Sequence, residues 1–312
     1  MAHIYKFNLI RAIAVLSVVF GHYFCHYSNY EASQQWFAYF KIHHIAMGLF
    51  FSLSGCLIYQ SMIKSQNIFV FFKRRILRLM PSIFALCFAL AMVIRGGYKT
   101  IFKFIEAITL TGDIFNHRGL FGIDFWSLHT EFRFYCLIAF VYFVLKLKNI
   151  QLLLASLTIW FIVLSIMYFG GSKIVFAMPI WNFLCIVYIF FGILIYLKQQ
   201  NELTTIKFIL YALLLVILSS CVHYWLFKNI PFAFFIGIII TYAIISIKNI
   251  KYNAMLNHIA EISYPLYLTH HFCIAKLGFV GIFVAFILSE ILHFFVEKPF
   301  IEYAKTSKLK FF

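Results

Sequence analysis

The stretch FNLIRAIAVLSVVFGHYF, Phe7 to Phe24, decides the fold. It is long and apolar enough to cross a bilayer, yet it carries Arg11 and His22. Ionisable groups inside such a segment are costly, and where they occur they face a bundle interior or a wet cavity. Eleven residues at 100° each return the two side chains to within about 20° of one helix face, with a rise of roughly 16 Å between them. That is about half a bilayer core. Arg11 is thus expected at one membrane surface, and His22 deep in the membrane or towards the other side.

The rest of the chain has the same character. Of 312 residues, 64% are hydrophobic and 12% charged, with a mean hydropathy of +0.93. The charged share is about half that of a soluble domain. The expected fold class is therefore all-α, a polytopic integral membrane protein. About ten transmembrane helices are expected, near 8–27, 42–62, 79–94, 125–145, 150–169, 180–197, 207–226, 231–247, 260–275 and 279–296. The segment 100–116 is too short and too charged to span, and reads as re-entrant or interfacial. One transmembrane domain, 1–312, is expected to use up the chain, with no fused extracytoplasmic domain.

The net charge of +16 brings no nucleic-acid motif with it, so no nucleic-acid partner is expected. It fits orientation and contact with anionic membrane lipid. Placing the N-terminus inside puts most of the 26 Lys and Arg on one side, which predicts both termini in the cytoplasm. The seven cysteines sit in apolar surroundings without a CxxC pair and read as small buried hydrophobes. No metal-ligand spacing is present, and no metal site is expected.

Against the apolar background five short stretches stand out: Asn8–Val15 with His22; Phe50–Ile58 (FFSLSGCLI); Arg74–Pro81 (RRILRLMP); Trp126–Glu131 (WSLHTE) with Phe134 and Tyr135; and Ile262–His270 (ISYPLYLTH), followed by Val296–Phe300 (VEKPF). Together and in this order they resemble the membrane acyltransferase-3 family, the O-acyltransferases of bacterial surface glycans. Two positions after Glu131 depart from the family pattern: Phe132 and Arg133 stand where a second acid and a Gln are common.

The residue types suit acyl transfer. His22 is poised near neutral pH to take a proton from a hydroxyl. Glu131 would orient it and stabilise its imidazolium, as a triad carboxylate does; a structural pairing with Arg133 or Arg11 is the other reading. Arg75 and Arg78, three apart, share a face if the helix begins before Pro81, and guanidinium forks match phosphate. With Arg11 they form the expected donor-binding set. Arg74 reads equally as a positive-inside anchor. Ser54-Gly55 reads as a close-packing point between helices, Ser127 as an N-cap, and Trp126 as an interfacial anchor. His270 reads as polar glue, and Tyr264-Pro265 as a break. His43, His44, His117 and His129 are expected near the outer rim.

The resemblance implies an O-acyltransferase of the bacterial inner membrane, multi-pass, with no bound cofactor. Acetyl-CoA, or another acyl-CoA, is the implied donor substrate. The implied acceptor is a lipid-linked or surface glycan such as O-antigen or exopolysaccharide. The core either stands alone or borrows a separate partner protein. A transporter or flippase, with Arg11, His22 and Glu131 as its path, is the rival class; a structural subunit of a glycan machine is a third.

Overall fold

A computed structural model describes residues 2–27, 42–93, 98–112, 126–169, 180–227 and 231–306. Among them every regular element is a helix. In chain order these are α1 (Ala2–Tyr27), α2 (Ile42–Ile63), α3 (Ile68–Val93), α4 (Tyr98–Thr109), α5 (Trp126–Ala139), α6 (Asn149–Phe169), α7 (Ile180–Leu184), α8 (Ile186–Gln199), α9 (Thr205–Phe227), α10 (Phe232–Ser246), α11 (Ala254–Glu261), α12 (Ser263–Leu277), α13 (Phe279–Leu292) and α14 (Lys298–Thr306). Single π-turns follow α5 (Phe140–Val144) and α13 (His293–Glu297).

Among the described residues seven helical segments are long and apolar enough to cross a membrane: Tyr5–Phe24, Ile42–Ile63, Ile68–Met92, Asn149–Phe169, Ile180–Gln199, Thr205–Leu226 and Phe279–Tyr303. The protein is a multi-pass membrane protein. The other three expected spans are helical but shorter. α5 runs 14 residues before its π-turn, and α10 and α12 run 15 each.

Two boundaries differ from expectation. The third span begins at Ile68, not near 79, because Pro81 lies inside α3. A membrane bundle tolerates an interior proline when neighbours re-satisfy the freed backbone, so Arg74, Arg75 and Arg78 lie on a continuous helix. The ninth begins earlier, with α11, and bends at Ile262 before Pro265, which sits in the first turn of α12, where its missing N–H costs nothing. The expected interfacial segment is α4, which exposes Ile101, Phe102 and Ile105 and buries Glu106 and Ala107. Phe104 packs edge-on against Phe84 of α3.

α2 is the hub of the bundle. Its Gly48, Ser52, Gly55 and Tyr59 fall on one face at helical spacing. There Gly55 meets Gly192 of α8 and Gly48 meets Gly237 of α10. A Cβ on Gly192 would stand 2.1 Å from the Ser52 carbonyl oxygen, and one on Gly55 2.0 Å from that of Ile189. Those are backbone atoms that cannot swing aside, so the helices touch main chain to main chain. Ser52 Oγ donates to Thr241 Oγ1 at 2.8 Å across the same seam, and Cys56 Sγ donates to the Gly192 carbonyl at 3.1 Å. Substituting Gly192 with Val is expected to cost about 3 kcal/mol or more, the upper range for overpacking. Thermal unfolding of purified protein in detergent checks this: Gly192→Val should melt well below wild type, whereas Cys136→Ala, at an exposed position, should not.

The opposite face of α2, with Met47, Phe50, Leu53, Ser54, Leu57 and Ile58, turns to a cavity shared with α1, α3, α5 and α12.

Candidate active site

Three consecutive cavities run along the stripe of α1 that carries Arg11, Val15, Val18 and His22. The first is a vestibule of about 870 Å³, bounded by Asn8, Arg11, Arg74, Arg78, Tyr264, Glu297 and Lys298 among others. The second is a throat of about 80 Å³, which shares Arg11, Arg78, Ser263 and Tyr264 with the vestibule. At ~10–15 Å³ per water it holds only a handful of molecules. The third, of about 330 Å³, is walled by His22, His43, His44, His270, Trp126 and Trp181. Val18, Met47 and Tyr267 belong to both it and the throat.

Helical periodicity explains the lining. On α3, Arg75, Arg78 and Leu79 face inward at i, i+3 and i+4; on α5, Leu128, Glu131 and Tyr135 do so at i, i+3 and i+7; on α12, Tyr264, Tyr267 and His270 do. Tyr264 pins α12 to α3 by donating from its hydroxyl to the Leu79 carbonyl at 2.8 Å.

The expected site residues divide among the cavities. Arg11 and Arg78 line both vestibule and throat, and neither makes a hydrogen bond or ion pair with a described residue. Arg74 joins them in the vestibule. The acids there are partly committed: Glu297 accepts from His293 Nδ1 at 2.8 Å, and Glu261 accepts from Asn257 at 2.9 Å.

Arg75 is not beside Arg78 in the vestibule. It is 7% exposed, its Nη2 donates to the Leu57 carbonyl at 3.1 Å, and its guanidinium lies 5.4 Å from the Tyr135 ring centre and 5.7 Å from that of Phe71. Its Nε has no hydrogen-bond partner among the described residues. An orphaned buried donor of this kind calls for a water or a ligand.

Glu131 is also away from His22. It is 6% exposed and accepts from the Tyr135 hydroxyl at 2.6 Å. It sits in the throat, so Glu131, Tyr135 and Arg75 form one buried array in which the ring carries the cation on its face and the hydroxyl meets the acid. Close to His22 stands another imidazole: His22 Nδ1 lies 3.2 Å from His270 Nε2. His43 and His271 pack their rings against His22 at 5.9 and 5.3 Å.

Other expectations shift. Ser127 does not cap α5; it is fully buried and donates to the Tyr267 hydroxyl at 2.6 Å. Trp126 is a wall of the histidine pocket, 6.5 Å from Trp181. His43 and His44 line that pocket, whereas His129 is buried within α5; His117 lies outside the described residues. Cys56, Cys87, Cys185 and Cys273 are buried as expected, but Cys136 and Cys221 are exposed.

A family model described as an acyltransferase domain matches residues 4–296. The chain belongs to the acyltransferase-3 family. The match runs from the start of α1 into the π-turn after α13 and takes in Arg11, His22, Arg75, Arg78, Glu131 and His270; Glu297 and Lys298 of the vestibule lie just beyond its end. No curated protein and no solved structure matches the chain. In this membrane acyltransferase Arg11, Arg74 and Arg78 gather about the vestibule and the imidazoles about the third cavity, with the throat that Arg75 and Glu131 also line between them.

Proposed function

We propose that the protein is an O-acetyltransferase of the bacterial inner membrane that moves an acetyl group from acetyl-CoA to a hydroxyl of a cell-envelope glycan. The observation that carries this reading is the pair Arg11 and Arg78, which no described hydrogen bond or ion pair ties down, lining both the vestibule and the throat that shares Val18, Met47 and Tyr267 with the His22 pocket. The vestibule faces the cytoplasm, ten segments cross the membrane, and both termini lie inside.

Coenzyme A offers a pyrophosphate and a 3′-phosphate to the vestibule guanidiniums, which bind such groups by charge-assisted forks. The narrow pantetheine arm then enters the throat. Roughly 16 Å of helix rise separates the levels of Arg11 and His22, so an extended arm brings the thioester carbonyl near Tyr267 and His22. The acceptor enters the third cavity, where Trp126 and Trp181 offer apolar faces to a sugar ring.

His22 takes the hydroxyl proton as the oxygen attacks the thioester carbonyl. The carbon–sulfur bond breaks, the thiolate leaves with CoA, and the imidazolium returns the proton to sulfur. The products are an acyl ester and a free thiol, with no net proton change.

Mass spectrometry of surface glycan from a deletion strain tests the reading. One acetyl mass per repeat should be lost and should return with plasmid-borne wild type. Unaltered acylation in the deletion strain would remove the glycan as acceptor.

A further inference from the structure

We propose that His270 fixes the tautomer of His22, and so decides which of its nitrogens receives the acceptor proton. This rests on the reading of His22 as the base. The argument starts at the other side of the His270 ring. Its Nδ1 lies 2.7 Å from the Tyr267 carbonyl oxygen and 3.2 Å from that of Leu266. Carbonyl oxygens only accept, so Nδ1 carries the hydrogen.

His270 is 2% exposed, and no carboxylate lines its pocket among the described residues. A second buried charge there would have no partner, and such a charge is costly. A neutral ring protonated at Nδ1 has a bare lone pair at Nε2. That nitrogen is the one 3.2 Å from His22 Nδ1, so His22 donates from Nδ1 and the lone pair of His22 lies on Nε2.

The order runs Tyr267 carbonyl, His270, His22, acceptor hydroxyl. It does what the carboxylate does in a serine triad, where the orienting group holds the base in the reactive tautomer. Here a neutral imidazole anchored to backbone takes that place. When Nε2 of His22 gains the acceptor proton, the Nδ1–H bond to His270 persists and strengthens, because the donor is then charged. The helical break at Ile262 and the proline in the first turn set where α12 begins, and so the height at which His270 meets α1.

Two variants and one spectrum test this. His270→Gln keeps an acceptor near the Nε2 position; His270→Leu keeps bulk without it. The Leu variant should lose about 10²-fold in kcat, the scale of a misdirected general base, with donor KM unchanged. The Gln variant should stay within about tenfold of wild type, recovering about an order of magnitude or more of the loss. The acidic limb of kcat/KM should move to lower pH in the Leu variant, because an imidazolium that has lost its acceptor forms less readily. His43 on α2, His271 on α12 and His44 in the pocket wall also face His22; they remain in both variants, so the difference belongs to position 270.

In wild-type protein, nitrogen-15 shifts of His22, assigned by difference with His22→Gln, should report hydrogen on Nδ1. This holds even if the Leu variant fails to fold. Hydrogen on Nε2 of His22, a Leu variant as active as wild type, or Leu and Gln variants equally impaired with an unmoved pH limb would each overturn the proposal. His22→Ala run in parallel separates the two readings. An active His22→Ala removes the base itself, whereas a dead His22→Ala beside an intact His270→Leu removes only the tautomer role.

Discussion

Alanine at position 22 is expected to abolish acyl transfer while the protein still inserts at wild-type level. A positioned general base contributes about 10²–10⁴-fold, and His22 is the imidazole on α1 that the throat leads to. Its removal leaves the vestibule intact, so donor binding should survive. Labelled donor retained by membranes, set against label transferred to glycan, separates the two steps. If the protein were a flippase, the same variant would leave glycan acylated but stop its appearance at the surface. Acylation at wild-type rate with normal insertion would end the base assignment.

The second large effect concerns the donor. Replacing Arg11 and Arg78 together by Gln should lower kcat/KM for acetyl-CoA by about 10²-fold or more, since a hydrogen bond to a charged group is worth about 1.5–3 kcal/mol. The informative comparison uses acetyl-pantetheine, which has no phosphates. Wild type should strongly prefer acetyl-CoA over this truncated donor, and the double variant should prefer it much less. Coupling of this sort shows that the two deletions remove one interaction. Equal preference ratios in the two proteins would place the phosphates elsewhere. Arg75 behaves differently on this geometry. With Nη2 committed to the Leu57 carbonyl and its face on Tyr135, its loss should reach stability before donor preference.

Local periodicity made much of this site legible. The spacing of Arg11 and His22 on α1 and the shared face of Arg75 and Arg78 on α3 follow from 3.6 residues per turn, as does the close packing at Gly55. Long-range pairing was not legible. His22 and His270 lie 248 residues apart, and nothing near either names the other. Glu131 has a partner four residues on, Tyr135, within reach of an i, i+4 reading. Pro81 marked a boundary by the rules of water-soluble helices, yet a membrane bundle absorbs it. Ser127 looked like a cap because its burial against Tyr267 depends on a helix that comes more than a hundred residues later.

The bore at Val18, Met47 and Tyr267 has a consequence for the cell's energetics. Where the throat meets the third cavity its shared walls are a valine, a methionine and a tyrosine, and an ion stripped of water against such walls faces a steep dielectric penalty. On the proposed reading, with donor and acceptor on opposite faces of an energised membrane, such a constriction would let the acyl group cross while the ion gradient is kept.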